Sequence, residues 1–274
     1  MQPFREQYPV NPSYEIAKGL PPYLPPLRAK DPGSRGGTDD VAPVEIPPVR
    51  ITVHPEPIRV SYEVVRELVP KLWDSGGGSL GEDDGGRGYF DDDDDGGDGT
   101  GSTSPDIVLH IGMAGPRPFY QIENRGHRQG YRSPDVDGKL LEDERQGGHG
   151  PDWIWHECPE EITTELHMPD VLARWKKQSA ALQTDLRVSE DAGRYMCDFI
   201  YYSSLARRWR QGRPRRVTFL HVPADASDRT VALGRELAVN LIRAIVESEV
   251  VRKRRPEELV NAMVVSDTRD DYLH

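Results

Sequence analysis

Three residues that together can break an amide bond, Cys197, His221 and Glu123, stand at comparable places in this chain. A cysteine hydrolase needs a thiolate to attack, an imidazole to pair with it and protonate the leaving group, and a third group to orient the ring. In α/β folds such groups sit at the carboxyl ends of strands and in the loops after them. Each of the three ends or follows a stretch that reads as a strand. Cys197 lies in S-E-D-A-G-R-Y-M-C-D-F-I-Y-Y-S-S-L, from Ser189 to Leu205. Ser189 and Asp191 are N-cap types, Glu190 suits the positive end of a helix dipole, and Tyr195, Phe199 and Tyr202 recur at helical spacing. The cysteine is therefore expected in about the first turn of a helix, where unpaired N–H groups and the dipole favour thiolate over thiol. The residues alone leave alternatives open. Free cysteine is among the most buried residue types, an isolated histidine is often a satisfied core residue, and His127, in a Gly-flanked loop, rivals His221 as the base.

The elements that must hold these groups alternate between strand and helix. Asn11 or Ser13 can cap a short helix through Leu20, with Pro12 in its first turn. Residues 21–48 are rich in Pro and Gly and read as an extended loop. Val49–His54 reads as a strand, and Ser61–Trp73 as a helix that Pro70 kinks or ends. Pro105–Gly115 is a continuous apolar run closing in a Gly-rich turn, the pattern of a strand buried on both faces. It lacks G-x-G-x-x-G spacing and so supports no claim of a nucleotide site. Phe119–Glu123 continues as a strand into a loop-rich region that runs to about Pro151. Pro169–Leu182 is a helix, Asp185–Val188 a strand, Arg215–Pro223 a buried strand and Thr230–Glu249 a closing amphipathic helix. The alternation predicts an α/β fold, three layers around a sheet of parallel or mixed strands. A single domain over residues 1–249 is expected, with a charged tail at 250–274.

The 274 residues carry a net charge of −11, but the acidity is local. Residues 74–104 hold ten acidic residues (Asp74, Glu82, Asp83, Asp84, Asp91 to Asp95 and Asp98) against Arg87, and about a third of them are glycine. Such a segment cannot bury apolar surface and is expected to be a disordered insert. The remainder is near neutral, which argues against nucleic acid as a partner, since that needs clustered basic charge. No apolar run is long enough to span a bilayer and no signal pattern opens the chain, so a cytoplasmic protein with no membrane partner is expected. Cys158 and Cys197 give no disulfide framework, and a bridge between them would consume the nucleophile. The acidic run from Asp91 has Ser102 where a calcium loop carries its twelfth-position Glu. One cysteine with scattered His156, Glu157 and His167 falls short of a zinc set, and neither metal nor cofactor is expected.

Five blocks, in order, carry a resemblance: N-P-S-Y-E-I from Asn11, D-I-V-L-H-I-G-M-A-G from Asp106, I-E-N-R-G-H-R-Q-G-Y from Ile122, S-E-D-A-G-R-Y-M-C from Ser189 and F-L-H-V-P from Phe219. Through them the sequence resembles the pyroglutamyl peptidase I family, cysteine omega-peptidases that remove N-terminal pyroglutamate from peptides, and among these its fungal members. The resemblance implies a three-layer α/β/α sandwich around a mixed, mostly parallel sheet. It assigns Cys197 as nucleophile, His221 as general base and acid, and Glu123 as the carboxylate that orients the histidine. It also implies peptides with N-terminal pyroglutamate as substrates and a lactam slot built by Phe4, Tyr195 and Met196. The pyroglutamyl ring is small, neutral and without a charged amine, so an apolar slot admits it and excludes ordinary N-termini by their desolvation cost. The chain opens inside the family's G-F-x-P-F motif, as M-Q-P-F, with Phe4 matching the second Phe and Met1 at the place of the first. The strand that precedes this motif in the family, inside its sheet, is not in the sequence. The expectation therefore divides between a missed upstream segment, which is favoured, another segment filling the gap, and a non-catalytic relative acting at most as a binding protein. Oligomeric state is left open.

Overall fold

A computed structural model describes residues 9–29, 44–74, 104–115, 117–143 and 153–254. Most of the acidic stretch, 75–103, and Phe4 lie outside the described residues, as does the chain beyond 254.

The first helix, α1 (Pro12–Ala17), starts as its sequence requires. Asn11 is extended, its Oδ1 accepts from Ser13 N at 3.1 Å, and proline fills the first helical position, where no N–H is needed. The Pro-rich stretch after it departs from the expected loop. It holds β1 (Tyr23–Leu24), β2 (Leu27–Ala29) and β3 (Val44–Ile46), and β4 (Val49–Arg50) follows. These strands form antiparallel pairs β1–β4 and β2–β3. The strand expected over 49–54 is thus only its first two residues. β3 turns Val44 and Ile46 inward onto Val246 and Val250 of the long last helix, and that burial fixes so short a strand. In α2 (Tyr62–Asp74) Pro70 lies inside the helix and does not end it.

The central sheet is built from β5 (Val108–Met113), β6 (Tyr120–Glu123), β9 (Leu186–Ser189) and β10 (Val217–Val222). Between β6 and β9 come β7 (Arg125–His127), within the region expected to be loop, and β8 (Glu161–Thr163), beyond it, which form a separate antiparallel pair. They are followed by α3 (Met168–Gln178). The last helices are α4 (Met196–Arg210), after β9, and α5 (Asp228–Arg254), after β10. The sheet runs β5–β10–β6–β9, parallel at both outer pairings and antiparallel between β10 and β6.

Strand β10 shows why the sheet has two covered faces. All six of its residues are buried. Val217 and Phe219 enter a core with α2 and α4, while Leu220 and Val222 enter a second core with α1, α3 and α5. Alternate residues of one strand thus feed opposite layers, as the pleat dictates. The result is the expected three-layer α/β/α arrangement on a mixed sheet.

Candidate active site

The chain between β9 and α4 does not use the cap its sequence advertises. Ser189 Oγ accepts from Asp191 N at 3.2 Å and Asp191 Oδ1 from Gly193 N at 3.0 Å, which closes a turn rather than a helix start. Gly193 adopts φ +88, a conformation that favours glycine, and the chain then extends through Tyr195 before the helix begins at Met196. Tyr195 is the N-cap residue and offers no side-chain cap. The first intrahelical bond is Phe199 N to Tyr195 O, 2.9 Å, so the N–H groups of Met196, Cys197 and Asp198 lie ahead of it. Cys197 is the second helical residue, half-buried, its thiol free and packed at the margin of the α2–α4 core.

Opposite the cysteine lies the β10–β6 junction. His221 is level with Gln121 in the antiparallel register, and Glu123 is level with Phe219. His221 and Glu123 are therefore diagonal neighbours on the face toward α4, close enough to meet. His221 Nδ1 stands 2.7 Å from Glu123 Oε1. A carboxylate accepts, so Nδ1–H donates, and Nε2 is the ring nitrogen left for the hydrogen bond His221 makes with Cys197. Glu123 is fully buried and His221 nearly so. Burial alone would lower the imidazole's pKa. Charge on Cys197 and the hydrogen bond to it, with the bond and charge of Glu123 behind, override burial and raise it from 6.5 to about 9. The backbone behind the carboxylate is clamped as well: Glu123 O accepts from Tyr201 Oη at 2.8 Å and from Thr218 Oγ1 at 3.1 Å.

Gly112 of β5 is level with His221 on the other side of β10. A Cβ there would lie 2.4 Å from Phe219 Cζ and 3.1 Å from Cys197 Sγ, so the missing side chain is what lets the thiol approach the sheet. Phe219 in turn packs against His221 with the rings tilted by 47°, centroids 4.6 Å apart.

The structure brings Cys197, His221 and Glu123 into one line and takes His127 elsewhere. His127 Nδ1 is 3.2 Å from Asp198 Oδ1, and the same oxygen accepts from His127 N at 3.3 Å. Asp198 Oδ2 accepts from Tyr131 Oη at 2.9 Å. This buried group ties β7 and the loop after it to the first turn of α4. Burial raises the Asp198 carboxyl above the ordinary range, against the opposing hydrogen bond and charge of His127. Tyr195 packs edge-on against Tyr62, centroids 6.5 Å apart, and its hydroxyl donates to Pro134 O at 3.1 Å. Met196 is buried in the α2–α4 core. His156 is 3.9 Å from Glu157, and Cys158 is a buried thiol that burial pushes up in pKa. Among the described residues no three His, Cys, Asp or Glu side chains are grouped to hold a metal ion.

Sequence reasoning missed Gly112, Asp198 and Gln121. Only Gln121 left a direct signal, its place two residues before Glu123 on the same strand face.

A cysteine at a helix start, an imidazole and a buried carboxylate on an α/β sandwich have the make-up of a cysteine hydrolase. Residues 98–247, more than half of the chain, match the family model for pyroglutamyl peptidase, and the chain belongs to that family. Mouse pyroglutamyl-peptidase 1 is 29% identical over 198 residues, 72% of each chain. The human protein of that name is 27% identical over 225 residues, 82% of this chain and 80% of its own. Among solved structures, pyrrolidone carboxyl peptidase of Pyrococcus furiosus superposes with a TM-score of 0.57 at 19% identity, covering 91% of this chain and 96% of its own. The Thermococcus litoralis protein gives 0.55 at 16% identity, 90% of each chain being covered. These structural likenesses show the shared fold.

Proposed function

We propose that this chain hydrolyses N-terminal pyroglutamate from peptides, with Cys197 as nucleophile, His221 as base and acid, and Glu123 as the group that orients the histidine. Membership of the pyroglutamyl peptidase family supports the substrate class. The observation that carries the roles is His221 held between Glu123 Oε1 and Cys197, its pKa raised by both.

In this reading the Cys197 thiolate attacks the carbonyl that joins pyroglutamate to the next residue, forming a C–S bond and an oxyanion. The uncapped N–H groups at the start of α4 hold that oxyanion. His221 passes its Nε2 proton to the departing amine as the C–N bond breaks, leaving a thioester. A water then attacks the thioester and gives its proton to His221. Pyroglutamate leaves and the thiolate–imidazolium pair is restored. Tyr195, held by Tyr62 and Pro134 O, walls the lactam slot with Met196 behind it. The part assigned to Phe4 lies outside the described residues. The free thiols of Cys158 and Cys197 fit a reducing, cytoplasmic setting. Among the described residues no helix is long and apolar enough to cross a membrane.

Purified chain should release the reporter group from a pyroglutamyl amide, and Cys197→Ala should abolish release. A folded wild type that leaves the reporter intact overturns the proposal and favours the binding-protein alternative.

A further inference from the structure

Glu123 does not hold His221 unaided. Gln121 Nε2 lies 2.6 Å from Glu123 Oε1, the oxygen that also accepts from His221 Nδ1. On the far side, Gln121 Oε1 accepts from Arg117 Nη1 at 3.3 Å. These neighbours settle which way round the amide stands, because a guanidinium can only donate and a carboxylate can only accept. Oxygen faces Arg117 and the NH2 group faces Glu123. Both residues of the pair are buried, Gln121 at 5% exposure and Glu123 at 0%. Glu123 Oε2, also buried, has no hydrogen-bond partner among the described residues. The carboxylate thus draws on two side-chain donors, both at one oxygen.

We infer that Gln121, set by Arg117, is a positioning residue of the active site, which keeps the Glu123 carboxylate aimed at His221. The inference rests on the peptidase reading of the site. With Gln121 in place, Glu123 Oε1 is fixed by two donors from different sides. Without it His221 alone remains, the carboxylate is free to swing off Nδ1, and the imidazolium stands less squarely against the Cys197 sulfur. The other ionisable groups close to this line are accounted for. The Tyr201 hydroxyl on α4 is spent on Glu123's own carbonyl, and Cys197 lies beyond His221. Arg187, level with Gln121 on β9, is exposed and paired with Asp185.

The test is the rate of Cys197 alkylation by iodoacetamide over about pH 4 to 10, in wild type and in Gln121→Met, a swap close in length that keeps no donor. The acid limb reports formation of the thiolate–imidazolium pair. A hydrogen bond to a charged group being lost, the midpoint of that limb should rise by about one pH unit. On a pyroglutamyl amide, kcat should fall about tenfold with KM within about twofold. A merely structural role would lower stability and leave the midpoint where it was, so an unmoved midpoint in folded Gln121→Met overturns the inference. Arg117→Ala, at an exposed side chain, removes only the anchor of the amide and should move the midpoint the same way by less. If Gln121→Met does not fold, an unmoved Arg117→Ala midpoint is decisive against it. Alkylation needs no turnover, which keeps two failures apart. A wild type silent toward the reporter overturns the peptidase reading, and an active wild type with unmoved midpoints overturns this one alone.

Discussion

At the scale of single residues, the proposed mechanism depends on one imidazole staying protonated while buried. Burial works against it; Cys197 and Glu123 win, lifting its pKa to about 9. In that mechanism the acid that delivers a proton to the departing amine is then available through neutral pH. Wild-type kcat/KM should therefore hold until about pH 9 and fall above it, which a pH–rate profile on a pyroglutamyl amide would show. Glu123→Gln keeps the shape of the residue and removes its charge. The charge raised the imidazole pKa, so its loss lowers that pKa, and the alkaline limb should move to lower pH. The neutral amide can also offer its NH2 to Nδ1 and turn the ring to the wrong tautomer, so kcat should drop about a hundredfold or more. A limb that stays in place would show that the carboxylate does not set the histidine.

At the scale of elements, the first turn of α4 is held on its buried side by Asp198, which gathers His127 N, the His127 ring and the Tyr131 hydroxyl. Asp198→Ala would take the side-chain acceptor from the His127 N–H and ring in the interior at a cost of about 2–4 kcal/mol, read as a lower urea midpoint, while the Tyr131 hydroxyl keeps His127 O. Asp198→Asn, which keeps an acceptor, should lose less. Gly112→Ala tests the opposite flank. Its methyl would press Phe219 and the Cys197 sulfur, and overpacking of this kind costs about 1–3 kcal/mol. Slower Cys197 alkylation in the folded variant would show that the thiol has been displaced. These elements also mark where the sequence was legible. The long strands and helices were, because continuous apolar runs or helical periodicity announce them. β7 was not: Arg-Gly-His carries no strand pattern, and its partner β8 is far along the chain. Nor was the start of α4. Ser189 and Asp191 look like caps but spend their side chains on the turn at Gly193, while the true cap residue, Tyr195, has a side chain that caps nothing.

At the scale of the whole molecule, two histidines tilt stability in opposite directions with pH. His110 is buried in β5, with Ser204 Oγ 2.8 Å from its Nε2, and burial lowers its pKa from 6.5 to about 4. The unfolded chain therefore binds the proton first. His110's contribution is fully present above pH 6.5 and is lost as pH falls toward 4, by up to about 3 kcal/mol. His221, raised to about 9, contributes fully below 6.5 and loses its contribution as pH rises through 9. Chemical denaturation of wild type and His110→Gln should give a stability difference that changes across pH 6.5 to 4 and stays level above it. An equal slope in both proteins would place the acid sensitivity elsewhere. The site itself was legible at this scale only as residue types on strand ends. That each of the three ends or follows a strand does not by itself bring them together, because β6 and β10 run antiparallel and their carboxyl ends point apart. What joins Glu123 to His221, 98 positions away, is the pairing of the two strands, which no local pattern announces.

That pairing makes the enzyme its own gauge of correct folding. A slip of one residue between β6 and β10 would turn Glu123 to the opposite face of the sheet, away from the imidazole. Such a product could keep its helices and much of its compactness, and would be hard to tell from the native chain by its far-ultraviolet spectrum. Recovered turnover during refolding would then count only molecules whose central strands have met in the right register.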